Sequence, residues 1–227
     1  MSRLERLQEV LHAEHKHRVL IVLQAMDTGG KDGTIKKLFE GVNPQGIRVA
    51  RFRTPTAEEA EHDFLWIVHQ ESPGSGEMVI FNRSHYEGVL IERVHGLIPR
   101  KTWSRRYKEI EHFEHLLHEG HAVILKFFLH ISRDEQKRRL EERATDPSKQ
   151  WKFSLSDVQE RRSWSKYMRA YEDALWNTST DSSRWYVIPA NKKWFRDLLV
   201  SRIIVERLDG LGMEYPKASV DLKSVAI

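Results

Sequence analysis

Residues 18–33 read RVLIVLQAMDTGGKDG, and this stretch decides the fold. Its first part, Arg18 to Gln24, is apolar and rich in β-branched side chains, which is typical of a parallel strand covered on both faces. The glycine loop, Ala25 to Gly33, follows at once, and the amphipathic pattern from Thr34 to Phe39 predicts a helix after it. A strand, a glycine-rich turn and a helix in this order indicate a phosphate-binding loop.

The glycine loop contains the residue types that a bound phosphate requires. Small residues let backbone N–H groups converge on phosphate oxygens, and the N-terminus of the following helix favours an anion. The common pattern Gly-x4-Gly-Lys-Ser/Thr is matched at Gly30 and Lys31, but Ala25 replaces the first glycine and Asp32 replaces the hydroxyl residue. An ordinary glycine-rich turn with solvated charges is the alternative. The phosphate-binding candidates are Gly29, Gly30, Lys31, Asp32 and Gly33.

Asp27 predicts a metal ion beside the loop. A carboxylate within a phosphate-binding loop is repelled by its ligand unless a cation lies between the two groups. The hydroxyl that normally helps to hold Mg2+ is missing, because Asp32 stands in its place. We therefore expect Asp27 to bind Mg2+, directly or through water, with Mn2+ as the alternative ion.

Four more apolar runs predict strands. They are Ile47 to Phe52, Met78 to Phe81, Ala122 to Leu129 and Trp185 to Ile188. Capping-box patterns predict helix starts at Thr56–Glu59, Ser132–Glu135 and Ser156–Gln159, and Gly120 marks the end of a helix from about Thr102. Strands that alternate with helices predict an α/β fold, with a five-stranded, mainly parallel sheet, helices on both faces and the ligand site at the carboxyl ends of the strands.

Composition limits the class of protein. A chain of 227 residues with 40% hydrophobic and 31% charged residues predicts one globular domain over 1–227. The absence of cysteine excludes disulfides, thiolate nucleophiles and cysteine-based zinc sites. The longest apolar run, Val19 to Leu23, is too short to span a bilayer, and the first residues lack the apolar core of a signal peptide. We expect a soluble, cytoplasmic protein without a membrane partner.

A second polar cluster, Asn82 to Glu87, directly follows the run that ends at Phe81. In an α/β sheet, polar residues at the end of a buried strand are placed where ligands bind. An Asp commonly closes such a strand in nucleotide-handling sheets, whereas Asn82 stands here. Arg83 suits bidentate phosphate binding, and Glu87 offers a carboxylate. An ordinary polar loop remains the alternative.

A basic segment from Lys137 to Arg169 predicts a lid. It contains ten Lys or Arg against five acidic residues, an excess larger than the net charge of +4 for the whole chain. Helices from Ser132 and from near Ser156 would form a hairpin at about 133–160 that brings arginines over the strand ends. The alternative is a solvated helix pair. Trp151, within this segment, is a candidate either for packing or for contact with a base.

Four ordered motifs resemble the family-2 polyphosphate kinases. They are Leu23 to Ile35, Gly41 to Gly46, Phe81 to Glu87 and Arg143 to Ser154, and the similarity runs from about Glu5 to Leu208. The resemblance implies a P-loop kinase-like three-layer sandwich with a helical lid. It also implies a kinase that uses Mg2+ to transfer the terminal phosphoryl group of inorganic polyphosphate to ADP or AMP, in a reaction that can run in reverse.

The resemblance also implies roles for individual residues. The implied catalytic residues are Asp27, Lys31, Arg83, Glu87 and Arg138. Besides the loop, the implied phosphate contacts are Arg83, Arg93, Arg138, Arg143, Lys149 and Lys152. Asn82, His85, Tyr86 and Glu87 would bind the nucleotide, and Asp27 and Asn82 the metal. Much of the family has Asp at the position of Asn82, which leaves Asp27 and Glu87 as compensating carboxylates. The glutamate at position 87 resembles that of the family branch that phosphorylates both AMP and ADP.

Two other functions could explain some of the same residues. An ATP-dependent nucleoside monophosphate kinase shares the loop, lid and sheet. A nucleic-acid-binding module would explain the arginines but not Asp27 beside Lys31, so we expect no nucleic-acid partner. The resemblance implies adenine or guanine nucleotides as substrates and assembly into a homodimer or homotetramer.

Overall fold

Five strands form the sheet that carries the described part of the chain. In the computed structural model, which describes residues 3–53 and 55–219, they are β1 Arg18–Gln24, β2 Ile47–Arg51, β3 Met78–Asn82, β4 Ala122–His130 and β5 Trp185–Pro189. All the pairings are parallel, and the order is β2-β3-β1-β4-β5. The predicted strands are confirmed to within one residue at each end, so the apolar runs located the whole sheet.

Helices alternate with these strands. They are α1 Arg3–Glu14, α2 Lys31–Leu38, α3 Ala57–Ala60, α4 Trp66–Gln70, α5 Ile91–Val94, α6 Arg100–Glu119, α7 Arg133–Thr145, α8 Leu155–Arg162, α9 Trp164–Thr178 and α10 Lys193–Asp209. Two short 3-10 helices, His85–Val89 and Gln150–Lys152, complete the set within residues 3–53 and 55–219. Across those same residues, no helix is both long and apolar enough to cross a bilayer.

The central strand β1 divides the core into two layers. Leu20 and Val22 belong to the cluster beneath α6 and α9, whereas Ile21 and Leu23 belong to the cluster beneath α1 and α10. This alternation follows from the period of two along a strand, and both sets are apolar because helices cover both faces. The predicted α/β sandwich is therefore confirmed. The prediction that residues 1–227 form one domain extends beyond the described residues and stays a prediction.

The helix boundaries match the capping signals with one exception. Thr56 forms the complete capping box with Glu59, and Gly120 ends α6. The predicted start near Ser156 is confirmed to within one residue, since α8 begins at Leu155, but the capping residue is Ser154 and not Ser156. Ser154 has an extended backbone, and its hydroxyl accepts a hydrogen bond from the N–H of Ser156, as a residue just outside a helix does.

Candidate active site

The glycine loop lies where the chain leaves β1 at the carboxyl edge of the sheet. The connection from β1 leads towards β2 on one side, whereas the connection from β3 crosses β1 to reach β4 on the other. Connections that diverge in this way leave a crevice above the strand ends, which is where open α/β sheets bind ligands.

Close packing explains why the loop needs its two central glycines. A Cβ atom on Gly29 would lie 2.5 Å from the Cβ atom of Ala25. Gly30 has φ of 104°, and a Cβ atom there would overlap the guanidinium of Arg196. Only glycine adopts such a conformation without strain. Ala25, which stands in place of the usual first glycine, therefore fits because Gly29 has no side chain.

Two adjoining cavities open over the loop. The first, here called the loop cavity, has a volume of about 580 Å³. The second, here called the tyrosine cavity, has a volume of about 260 Å³ and is closed by Tyr167 and Tyr171. The two share the side chains of Asp27, Lys31, Arg83 and Asp157. A group bound in one cavity can therefore meet a group bound in the other at this shared wall.

The shared wall contains opposite charges at short range. The Nζ atom of Lys31 donates to the carbonyl of Ala25 at 3.0 Å, which uses one of its three N–H donors. Burial lowers the pKa of Lys31, although the carboxylates of Asp27 and Glu87 oppose the shift. Arg83 Nη2 lies 3.9 Å from Asp27 Oδ1, and the φ of Arg83 is 69°. Positive φ in a bulky residue at the end of a buried strand is the kind of local strain found at ligand sites.

Glu87 places a partly buried carboxyl group in the tyrosine cavity. Burial raises its pKa, and the positive charges of Arg83 and Lys31 act in the opposite direction. The 3-10 helix His85–Val89 presents it directly after β3. A carboxyl group held at this position can recognise the donor groups of a ligand or repel an additional phosphate.

Asn82 and Asp32, two of the three departures from the usual motifs, contact each other. The Nδ2 atom of Asn82 donates to Asp32 Oδ1 at 2.6 Å. A carboxylate at position 82 would repel Asp32, whereas the amide binds it. The carboxylate beside the end of β3 is thus supplied by the loop. We named Asp27 and Glu87 as compensating carboxylates and overlooked Asp32, because a sequence does not show which side chains meet.

The carboxylates at the site fit a metal ion that is shared with substrate phosphates. Mg2+ is usually held by one or two carboxylates together with phosphate oxygens and water. Asp27 lines both cavities, and Asp32 and Asn82 lie in the wall of the loop cavity. Within residues 3–53 and 55–219, no group of three or more His, Asp or Glu could hold an ion. The donor set therefore suits Mg2+ that is bound together with a polyphosphorylated ligand.

The helical hairpin formed by α7, α8 and the segment between them brings some of its predicted residues to the loop cavity and leaves others outside. Arg143 lines the cavity, and its Nη1 atom pairs with Asp157 Oδ2 at 3.0 Å. Lys152 and Trp151 also line it, and the Lys152 ammonium lies 4.8 Å from the centre of the Trp151 ring. Asp157 had no distinguishing signal in the sequence and was missed. The other lining residues that we did not predict are Ala25, Met26, Thr28, Arg51, Phe52, Leu90, Ile91, Ser156, Glu160, Tyr167 and Tyr171.

Arg138 and Lys149 lie outside both cavities. Arg138 is exposed and binds Glu135 at 2.7 Å and Glu142 at 3.4 Å. Lys149 pairs with Glu142 and with Asp146, the latter at 2.7 Å. Carboxylates within the hairpin bind both cations in this arrangement, and their predicted phosphate contacts stay predictions.

His85 and Tyr86 lie in the interior, and Arg93 is half-buried and already paired. Arg93 Nη2 pairs with an Asp173 oxygen at 2.6 Å, and its guanidinium lies over the Trp103 ring. His85 and Tyr86 are shielded from water. None of these three residues lines either cavity, and their predicted phosphate and nucleotide contacts stay predictions. His85 and Tyr86 were predicted to bind a ligand because their side chains are polar. The 3-10 helix, however, directs the rings of both residues into the core.

Comparison with known proteins agrees with this fold. The sequence profile of the family described as polyphosphate kinase 2 matches residues 1–216. An AMP/ADP-polyphosphate phosphotransferase of Meiothermus ruber is 56% identical over 225 residues, which cover 99% of this chain and 84% of that protein. An ADP-polyphosphate phosphotransferase of Rhodopseudomonas palustris is 43% identical and covers 96% of this chain and 80% of its own.

A solved structure extends the likeness to three dimensions. The crystal structure of polyphosphate kinase 2 from Arthrobacter aurescens TC1 superposes with a TM-score of 0.96 at 45% identity, covering 98% of this chain and 80% of that one. The resemblance inferred from four motifs is thereby confirmed along nearly the whole sequence. This chain belongs to the polyphosphate kinase 2 family.

Proposed function

We propose that this chain is a phosphotransferase that moves the terminal phosphoryl group of inorganic polyphosphate to ADP or AMP. The observation that carries the proposal is the wall of Asp27, Lys31 and Arg83 between the two cavities. Such a wall suits a reaction in which two phosphate-bearing ligands approach from opposite sides. The names of the relatives from Meiothermus ruber and Rhodopseudomonas palustris support both substrates.

The reaction is an in-line displacement at phosphorus. A terminal phosphate oxygen of the nucleotide forms a bond to the end phosphorus of polyphosphate, and the bridging P–O bond behind it breaks. The shortened polyphosphate leaves with the bridging oxygen. Phosphoryl transfer of this kind needs little covalent help, since positioning and charge neutralisation supply most of the catalysis. Lys31 and Arg83, together with the N–H groups of the loop, are suited to hold the transferred group.

The role of Asp27 and Asp32 is to hold a cation next to the phosphates of the substrates. When bound, Mg2+ would neutralise phosphate charge at the shared wall. The two carboxylates lie on the same loop as Lys31, so a cation held there would be fixed relative to the lysine. Binding of Mg2+, with Mn2+ as a substitute, is part of the proposal.

The basic side chains of the loop cavity suit a long polyanion. Arg51, Arg143 and Lys152 stand around this cavity in addition to Lys31 and Arg83. A chain of phosphates presents charge beyond the reacting end, and several separate cations bind it better than one. The loop cavity is therefore assigned to polyphosphate and the tyrosine cavity, with Glu87, to the terminal phosphates of the nucleotide.

The decisive experiment is incubation of the purified chain with Mg2+, polyphosphate and either ADP or AMP, with ATP measured by luciferase. ATP formation from ADP, and ADP or ATP formation from AMP, is the expected result. A parallel reaction with ATP and AMP but without polyphosphate tests the ATP-dependent monophosphate kinase. Turnover only in that second reaction would overturn the proposal.

Two further properties belong to the same proposal, namely the assembly implied by the resemblance and the location expected from the composition. Homodimers or homotetramers would be seen by light scattering of the purified chain. A cytoplasmic location would be seen by fractionation of cells that express it.

A further inference from the structure

The backbone carbonyls of the glycine loop are all engaged. Each carbonyl from residue 25 to residue 30 accepts a hydrogen bond: Ala25 from Lys31 Nζ, Met26 from the N–H of Gly29, Asp27 from Gln136 Nε2, Thr28 and Gly29 from Arg139 Nη1, and Gly30 from the N–H of Thr34. A carbonyl oxygen that pointed at a bound phosphate would repel it, because both carry negative charge. The question is therefore which groups hold the carbonyls away.

Two side chains of α7 hold the three central carbonyls. Gln136 Nε2 lies 3.2 Å from the carbonyl oxygen of Asp27. Arg139 Nη1 lies 2.9 Å from that of Thr28 and 3.3 Å from that of Gly29. Residues three apart share one face of a helix, so a single face of α7 binds the loop. Gln136 is 0% exposed and Arg139 5% exposed, which removes competition from water.

Arg139 uses all five of its N–H donors. Besides the two loop carbonyls, Nη2 donates to the carbonyls of Ala190 at 2.6 Å and Asn191 at 3.0 Å. Its Nε atom donates to Glu135 at 2.7 Å. The planar guanidinium thus joins the loop to the segment that follows β5. A lysine, with three donors on one nitrogen, cannot reach both sets of carbonyls.

The amide of Gln136 is held in one orientation by the next helix of the hairpin. Arg161 Nη1, on α8, donates to Gln136 Oε1 at 3.1 Å and to the carbonyl of Arg133 at 2.6 Å. Since an arginine can only donate, it fixes the oxygen end of the amide and leaves the nitrogen end for Asp27. The loop is therefore connected through Gln136 to α8.

Engaged carbonyls have a geometric consequence for the neighbouring N–H groups. In a trans peptide the C=O of one residue and the N–H of the next point in opposite directions. Carbonyls of Asp27 and Gly29 that are held towards α7 turn the N–H groups of Thr28 and Gly30 the other way. Thr28 and Gly30 both line the loop cavity, and Thr28 has φ of 63°. Binding to α7 offsets the strain of that conformation.

We propose that Gln136 and Arg139 are positioning residues that shape the loop into an anion site by holding the carbonyls of residues 27–29 away from the cavity. The inference rests on the proposed function in one respect, that the loop binds phosphate. Neither residue lines either cavity, so both act through the loop. Arg139→Lys keeps the charge, yet its single nitrogen cannot hold both sets of carbonyls at once.

Binding of inorganic tripolyphosphate, measured by isothermal titration calorimetry on the full chain, tests the inference. We expect Gln136→Met and Arg139→Lys each to weaken binding about tenfold, the effect of one lost hydrogen bond to a well-placed group. Two controls in the same hairpin match them. Gln150→Met removes an exposed glutamine that also donates to a carbonyl, and Arg162→Lys changes an exposed arginine on α8. Both controls should bind as the wild type does.

Melting temperatures separate positioning from a purely structural role. If both variants melt earlier but bind tripolyphosphate with unchanged Kd while folded, the inference is overturned. If Arg139→Lys does not fold, the melting temperature and the tripolyphosphate Kd of Gln136→Met alone test the inference by the same criterion. A wild-type chain that binds no tripolyphosphate would instead refute the proposed function, and this inference with it.

Discussion

The ammonium group of Lys126 lies 2.6 Å from a carboxylate oxygen of Glu114, and water reaches neither side chain. Lys126 also donates to the carbonyl of Thr178 at 2.6 Å, and the Tyr86 hydroxyl donates to Glu114 at 2.7 Å. Burial by itself raises the pKa of Glu114, but Lys126 and His85 outweigh it, so the pKa lies below its ordinary value. This cluster anchors the 3-10 helix that presents Glu87, and it explains why His85 and Tyr86 are core residues.

Removing one partner of this pair should destabilise the protein strongly. Lys126→Met leaves the buried Glu114 carboxylate without its cation, which costs about 3–5 kcal/mol in the free energy of unfolding. Urea denaturation measures the change. The double variant Lys126→Met with Glu114→Gln should recover a large part of the loss. If the double variant is as unstable as the single one, the unpaired charge is not the cause. Lys137→Met, at an exposed pair with Glu141, is the control and should change stability by less than about 1 kcal/mol.

The carboxyl group of Glu87 should make stability depend on pH. Its folded-state pKa is raised, so the protonated form favours folding, and that contribution is lost as pH rises through the folded pKa. Glu87→Gln, which cannot ionise, should therefore melt later than the wild type at pH 7. The difference should vanish near pH 4, below the ordinary pKa of a Glu of about 4.3. Melting curves at both pH values provide the test, with exposed Glu61→Gln as the control. An equal difference at both pH values would contradict the linkage.

Lys31 should matter for turnover and little for folding. Lys31→Ala removes a cation from the wall between the cavities, and the loss of one such group lowers kcat on the order of 100-fold to 1000-fold. Because burial disfavours its charged form, the variant should melt no earlier than the wild type. Exposed Lys36→Ala, on α2, should keep full activity. Undiminished turnover in Lys31→Ala would remove the loop from the mechanism.

Gly30 should tolerate no side chain. Gly30→Ala places a Cβ atom against the Arg196 guanidinium at a backbone φ of 104°. The matched control is Gly96→Ala, since Gly96 also has positive φ, of 66°, but nothing lies within 4 Å of its Cβ position. The control should cost about 1–2 kcal/mol from the backbone alone. Gly30→Ala should cost more in urea denaturation, and equal losses would show that the contact with Arg196 is unimportant.

Polyphosphate binding should weaken as salt is added. Several exposed cations border the loop cavity, and the attraction of such cations for a polyanion is screened at high ionic strength. Lys152→Gln should lower the affinity at low salt and flatten its salt dependence. Lys137→Gln removes the same charge on the outside of α7 and should change neither the affinity nor its salt dependence. The measurement is the Kd for polyphosphate between low and high salt. A Kd independent of salt would contradict a basic channel.

The sheet was predictable because its signals are local. Apolar runs such as Arg18 to Gln24 are read directly as strands, and Gly120 ends a helix whatever lies around it. The positions of Lys31, Asp27 and Arg83 at the cavities followed from the same logic, since each directly follows a buried strand or belongs to the loop after one.

The remaining site depended on contacts that no local pattern encodes. Arg138 and Arg139 are adjacent and chemically identical, yet one faces solvent and the other lies beneath the loop. Their difference comes from the rotation of α7, which its packing sets. The contact between Asn82 and Asp32 likewise joins residues 50 apart in sequence. The burial of His85 and Tyr86 was likewise not predictable, because polar side chains that contact Glu114 inside the core resemble, in sequence, side chains that bind a ligand.

The support beneath the loop has a consequence for synthesis of the chain. The loop is translated 111 residues before Arg139, and Arg196 comes later still. At the usual pace of translation, the interval between the loop and Arg196 is on the order of ten seconds. A nascent chain therefore carries strand and loop without the support that shapes them. The glycine loop is thus made before the residues that support it. An incomplete chain that lacks those residues cannot hold the loop in its phosphate-binding shape.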